Sequence, residues 1–298
     1  MSIASKRALI TGIQGFTGRY MAAELKANGY EVIGLGSQPS DEPGYHQIDL
    51  ADGAALRDLL ATIQPNVVVH LAALAFVGHG AADAFYQVNL IGTRHLLEAI
   101  DSCGKEPDCV LLASSANVYG NASAGLLSES TMPAPANDYA VSKLAMEFMA
   151  SLWHNRLPLV ITRPFNYTGV GQSDNFLLPK IVSHFRQRAA KIQLGNLDVS
   201  RDFSDVRTVV KAYRGLIEAR PLGQTINVSS GNSHSLREVI DMCATITGHQ
   251  IEVEVNPAFV RANEVKILCG DNTRLIELVN GWQTPQLEET LSWMLTAK

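Results

Sequence analysis

The residues with the clearest chemical potential are Tyr139 and Lys143, four apart in Tyr139, Ala140, Val141, Ser142, Lys143, downstream of the glycine-rich run Thr11, Gly12, Ile13, Gln14, Gly15, Phe16, Thr17, Gly18. On a helix, positions i and i+4 share a face, so the Lys143 ammonium can lower the pKa of the Tyr139 phenol. A ligand bound at the glycine turn can lie across both side chains. A phenol tuned in this way can exchange a proton with an oxygen while hydride arrives at, or leaves, the carbon that bears it.

Such a pair needs a frame. Short apolar runs alternate with amphipathic stretches of helical period through the first half of the chain, which predicts parallel strands joined by crossover helices. The strands are expected at Arg7–Thr11, Glu31–Leu35, Val67–His70, Val110–Ser114 and Leu159–Thr162, with helices beginning near Phe16, Asp52, Ala82 and Asp138. After Pro164 the rhythm loosens, with helices around 177–190, 205–218 and 236–247. The expected fold class is α/β, a doubly wound parallel sheet of Rossmann type with a smaller C-terminal substrate-binding lobe. Residues 1–165, with a segment returning at about 204–230, form the dinucleotide-binding domain, and 166–203 with 231–298 form the lobe.

At 298 residues, 46% of them apolar and 18% charged, the chain can bury a large core. A net charge of −5 without a Lys/Arg cluster argues against nucleic-acid partners. Cys103, Cys109, Cys243 and Cys269 show no metal-ligand or redox spacing, so no metal is expected and reduced thiols in a cytoplasm fit best. Residues 1–7 lack the apolar core of a leader, and no stretch approaches the roughly 20 apolar residues of a membrane span. The reading is therefore a cytoplasmic protein without membrane partners.

Further motifs stand in order along the chain: Ser114, Ser115, Ala116, Asn117, Val118, Tyr119, Gly120, then Arg163, Pro164, Phe165, Asn166, then Gly169, Val170, Gly171, Gln172, then Arg201, Asp202, Phe203, then Arg261 to Val265, and Gly281, Trp282. Over almost its full length the chain resembles the extended short-chain dehydrogenase/reductase family. Within the nucleotide-sugar branch it is most similar to the GDP-sugar group of 4,6-dehydratases and 4-keto-6-deoxymannose reductases.

For the cofactor, Gly12 permits the tight turn after the first strand, Gly15 lets backbone approach a pyrophosphate, and Gly18 lets the helix pack closely, with Phe16 and Thr17 in its first turn. An NAD-binding fold usually carries a carboxylate at the end of the second strand, where this chain reads Leu35, Gly36, Ser37, Gln38. Its absence, with Ser37 able to donate, favours NADP, NADPH being the working form and NAD an open alternative; Arg19 is a candidate clamp. The resemblance implies that Asp49, beside Leu50 after the third strand, accepts from the adenine amino group, and that Leu71, Ala72 and Ala73 keep room for the nicotinamide ribose. Asp49 could instead cap the following helix.

The resemblance also implies that Ser115 holds the substrate's 4-oxygen, that Tyr139 is the proton donor, and that Lys143 both favours the phenolate and binds the nicotinamide ribose. Asn89 is expected to tie a helix to a strand. Related dehydratases carry Glu, and related epimerase-reductases Cys, where this chain has Asn117, and an amide has no proton chemistry near neutral pH. Redox at a single carbon remains. The resemblance further places Arg163 and Asn166 at a substrate diphosphate and Glu264 on the nucleotide ribose; Arg201 and Arg261 supply the charge a diphosphate needs, although each Arg could instead pair with a carboxylate at the lobe interface, and Phe76 and Val77 are expected to wall the hexose 6-methyl or to be core. Asp202 and Asp205 read better as structural.

The expected activity is NAD(P)H-dependent reduction of the C4 ketone of GDP-4-keto-6-deoxy-D-mannose to a GDP-6-deoxyhexose such as GDP-D-rhamnose. A nucleotide-sugar 4-epimerase, a 4-reductase on a UDP or dTDP sugar, and an NAD(P)-sensing regulator remain as alternatives. Apolar residues on more than one face of the helices around 89–103 and 138–154 point to a homodimer.

Overall fold

The computed structural model describes residues 5–75, 82–120, 125–259 and 267–297. The first half runs β1 (Arg7–Thr11), α1 (Phe16–Ala27), β2 (Glu31–Gly36), β3 (Tyr45–Gln47), α2 (Gly53–Ile63), β4 (Val67–His70), α3 (Ala82–Phe85), a π-helical stretch Tyr86–Gly92 continuing into α4 (Thr93–Asp101), β5 (Cys109–Ala113), β6 (Gly125–Leu127) and α5 (Asp138–Ser151). Then come β7 (Leu159–Pro164), β8 (Asn166–Thr168), α6 (Leu177–Arg186), β9 (Lys191–Leu194), β10 (Ser200–Asp205), α7 (Val206–Ala219) and β11 (Thr225–Val228). The chain closes with β12 (Ser233–Ser235), α8 (Leu236–Thr247), β13 (Glu252–Val255), β14 (Ile267–Gly270), α9 (Thr273–Leu278) and α10 (Leu287–Thr296).

Seven parallel strands form one sheet in the order β11-β7-β5-β4-β1-β2-β3. The central strands β1, β4, β5 and β7 read as largely apolar runs because both faces are covered, whereas the edge strand β3, Tyr-His-Gln, does not. Ala8, Ile10, Val67, Val69 and Leu111 point into a core shared with Met21 and Leu25 of α1 and with Val209, Tyr213 and Leu216 of α7. Leu9, Val68, Val110, Leu112 and Ile161 point the other way, onto Leu56 and Leu60 of α2, Leu96 and Leu97 of α4 and Met146 of α5. The chain's winding reverses between β1 and β4, so the ends of these two strands open the crevice where ligands of such sheets bind.

The segment that returns to the sheet is α7 and β11. The lobe holds the mixed sheet β12-β10-β14-β6, with β8 on β10, and the pair β13-β9. Its core joins Ile181 and Phe185 of α6, Val239 and Cys243 of α8, and Leu291 and Met294 of α10. One stretch departs from the expected partition. Leu275 and Trp282 join α7 in the first core, and the Trp282 indole donates to the Thr208 carbonyl at 3.0 Å, so the region of α9 packs on the large sheet.

Candidate functional site

Gly12 ends β1 at φ +71°, and a Cβ there would stand 2.8 Å from the Ala72 backbone leaving β4. At Gly18 a Cβ would come within 2.2 Å of the Gly12 carbonyl, so both positions exclude side chains. Gly15 is the N-cap of α1; it brings no side-chain cap, and the first turn holds no acidic residue. The first N–H groups of α1 thus face the crevice as a cradle that suits an anion. The residues present fit a dinucleotide pyrophosphate.

Around this cradle, the Thr17 hydroxyl bonds the Tyr167 hydroxyl at 2.8 Å, and the Phe16 and Tyr167 rings stack with centroids 6.2 Å apart. Leu71, Ala72 and Ala73 are half-buried at the end of β4. Beyond β2, Ser37 is exposed, and the Tyr45 phenol donates to Gln14 Oε1 at 3.0 Å and to the Gln38 carbonyl, tying the glycine turn to that loop. Asp49 is exposed and accepts from Ala51 N–H, whereas Asp52 caps α2, so the capping role falls to Asp52 and not to Asp49. Leu50 is buried against α2 and α4 in the second core.

The catalytic candidates converge. Asn137 caps α5 by accepting from Ala140 N–H at 2.9 Å, which starts the helix that carries Tyr139 and Lys143 on one face. Ser115, just beyond β5, accepts from Asn117 N–H at 3.1 Å, and its hydroxyl lies near enough to the Tyr139 phenol to lower its pKa. Burial pushes the Tyr139 phenol up to about 12, with the Ser115 hydroxyl opposing it. Lys143 is pulled down to about 8 by burial, opposed by Glu147, and donates to the Ala113 carbonyl at 2.7 Å. The expectation that Lys143 depresses the Tyr139 pKa is therefore corrected: burial raises it, with Ser115 and not Lys143 as the opposing influence, and the phenol stays protonated, as a proton donor requires.

Behind these groups lies a proton-ordered chain. His70 Nε2 is 2.8 Å from Thr93 Oγ1, whose proton goes to the Asn89 carbonyl, so Nε2 must donate and Nδ1 accepts from Thr11 Oγ1 at 2.7 Å. Asn89 exchanges bonds with the Leu74 backbone and donates to Ser142 Oγ at 3.0 Å, tying the π-helical stretch to the strand end and to α5. His70 showed in the sequence only as the polar end of an apolar strand.

Arg163 is a second correction. Expected at a diphosphate, it is 7% exposed; its guanidinium bonds both Glu147 oxygens, at 2.6 to 3.3 Å, and the Tyr119 hydroxyl at 3.0 Å. An anion could reach it only by displacing a buried carboxylate. Glu147 was not singled out in the sequence, although its place four residues after Lys143 on the same helix face was a usable signal. Asn117 and Asn166 are exposed, and Arg201 is half-buried on β10, its guanidinium donating to the Ser200 carbonyl. Asp202 accepts from Ser230 and Gly231 N–H inside the lobe, and Asp205 caps α7, so both are structural. Arg261, Glu264, Phe76 and Val77 lie outside the described residues.

Among the described residues no helix is long and apolar enough to cross a membrane, and no three His, Cys, Asp or Glu side chains converge as metal ligands.

A family model described as GDP-mannose 4,6 dehydratase matches residues 9–294. The chain belongs to that family. It is 34% identical to the GDP-6-deoxy-D-talose 4-dehydrogenase of Aggregatibacter actinomycetemcomitans, over 92% of this chain and 91% of that one. To the GDP-6-deoxy-D-mannose reductase of Pseudomonas aeruginosa it is 33% identical, over 94% and 92%. Among solved structures of related proteins, one from Burkholderia cenocepacia J2315, a candidate epimerase, is 52% identical and superposes with a TM-score of 0.93 over 98% of this chain and 97% of that one. The structure of RMD from Pseudomonas aeruginosa complexed with NADPH is 31% identical, with a TM-score of 0.84 over 98% and 96%.

Proposed function

We propose that this member of the GDP-mannose 4,6 dehydratase family is an NADPH-dependent nucleotide-sugar 4-reductase that converts GDP-4-keto-6-deoxy-D-mannose to a GDP-6-deoxyhexose such as GDP-D-rhamnose. The observation that carries this reading is a buried Tyr139 whose phenol burial keeps protonated, beside the buried Ser115, with an amide at Asn117 where proton abstraction from the sugar would need a base. When bound, the dinucleotide supplies the hydride. Ser115 orients the 4-oxygen of the sugar, Tyr139 gives it a proton, and Lys143 holds positive charge beside the phenolate that results. Gly12, Gly15 and Gly18 hold the pyrophosphate, and the uncharged end of β2 at Ser37 tolerates a 2′-phosphate. The relatives named for GDP-6-deoxy sugars and the NADPH complex support both choices.

The 52% identity to a candidate epimerase favours a second reading, a nucleotide-sugar 4-epimerase using the same Ser115, Tyr139 and Lys143. Turnover of GDP-4-keto-6-deoxymannose with labelled NADPH in deuterated water separates the two. A 4-reductase puts the label on C4 and no solvent deuterium on C3 or C5. Deuterium at C5, or conversion of GDP-mannose alone, would sink the reductase, and a tightly held NAD that survives purification would favour the epimerase.

A further inference from the structure

Glu147 sits one helical turn beyond Lys143 on α5, 7% exposed, and its carboxylate joins three elements. It accepts from Ser114 Oγ, the residue between the Ala113 carbonyl that receives Lys143 and the Ser115 hydroxyl. From β7 the Arg163 guanidinium takes both of its oxygens, at 3.0 Å from Nε to Oε1 and 2.6 Å from Nη2 to Oε2. Arg163 in turn donates to the Tyr119 hydroxyl, which donates to Asn227 Oδ1 at 2.7 Å on β11. With Arg163 and Ser114 saturating the carboxylate, the ammonium of Lys143 is left to the Ala113 carbonyl.

We propose that Glu147 is a positioning and charge-balancing residue for the reaction assigned above: it fixes the end of β5 that bears Ser115 and steadies the positive charge of Lys143, while Arg163 is the counter-charge that keeps it from capturing Lys143. The proposal rests on the 4-reductase reading only for its kinetic arm.

The charged and titratable groups facing Lys143 are few. Tyr139 and Glu147 come from α5 and the neutral His70 from β4, while β5 presents only the Ala113 carbonyl. Facing Glu147 are Lys143 from its own helix, Ser114 from β5 and Arg163 from β7. Glu147 is thus the one negative charge in this set, and it opposes the burial that pulls Lys143 down to about 8. Removing it should lower the pH at which Lys143 loses its proton. Removing Arg163 leaves Lys143 as the only cation for that carboxylate among the described residues and should raise it.

The test is a 15N-lysine NMR titration of the intact protein without substrate, with the Lys143 signal identified by its loss in Lys143→Met. Glu147→Gln should move the Lys143 midpoint down by about one pH unit, and Arg163→Gln should move it up. With GDP-4-keto-6-deoxymannose and NADPH, the alkaline limb of kcat/KM should follow in the same two directions. Midpoints that stay put in both variants, or move the same way, overturn the proposal and leave the pair a purely structural clamp. Should Glu147→Gln not fold, Glu147→Asp decides: it keeps the charge and shortens the reach to Ser114, so the midpoint must hold while kcat falls with little change in KM. A normal kcat in Glu147→Asp overturns the positioning role. Because the titration uses no substrate, a protein that reduces no 4-keto sugar would fail the functional reading and leave the Glu147 result standing.

Discussion

The hydroxyls of Thr17 and Tyr167 lie 2.8 Å apart and join the first turn of α1 to β8, the strand by which the chain enters the lobe. Tyr20, one turn further along α1, donates to the Val170 carbonyl at 2.7 Å and packs edge-on against Trp293 of α10. The pyrophosphate cradle and the lobe are therefore tied at one helix end.

Tyr167→Phe removes one partly buried hydrogen bond, a loss of about 1 kcal/mol, or roughly fivefold in an equilibrium constant. We expect it to weaken dinucleotide binding by about that factor, and Thr17→Val to do the same. If the bond is the shared cause, the double variant loses no more than either single one. Calorimetric titration of NADPH into the four proteins measures this, and simple additivity would show that the two side chains act separately.

His70 makes stability sensitive to acid. Burial holds its imidazole at about 3, with the Lys143 charge adding to the effect, against an ordinary value of 6.5. Between those values the unfolded chain binds a proton that the folded one refuses, so stability falls as pH drops below about 6.5 and goes on falling until about 3. Melting temperatures across this window should decline steeply in the native protein and less so in His70→Asn. Parallel curves would show that other groups govern acid unfolding.

Phe148 and Leu152, on one side of α5, are 67% and 78% exposed, and Val141 lies two turns earlier on the same stripe. Side chains of this size rarely face water in such a row, and a second copy of the chain would cover them in an isologous pairing. Light scattering at micromolar concentration should give a homodimer, and Phe148→Glu combined with Leu152→Glu should give a folded monomer. A native protein that scatters as a monomer would end this expectation.

How much of this was legible in the sequence follows from where the information sits. β1, β2, β4, β5 and β7 could be read because strands covered on both faces are apolar over most of their length. β8, Asn-Tyr-Thr, and β12, Ser-His-Ser, carry no such pattern and are strands only because β10 pairs with them. Ser115, Tyr139 and Lys143 were legible because one helix and one strand end hold them all. For Arg163 the sequence left a diphosphate and a carboxylate partner both open, because it displays a cation without its partner, and Glu147 lies on another element. The acid-sensitive role of His70 depends on its burial and on the Lys143 charge, which the fold alone brings about.

The placement of α7 and β11 bears on how the molecule is made. Val209, Tyr213 and Leu216 close the core over Ala8 and Ile10, so β1 waits for a helix synthesised far later. Until then one face of the large sheet is covered by α1 alone, and its edge at β7 lacks the strand that seals it. Contacts so distant along the chain slow folding and leave apolar surface open to wrong partners in the interval. The N-terminal half, although it carries Ser115, Tyr139 and Lys143, is on this architecture an aggregation-prone nascent chain rather than a free-standing domain.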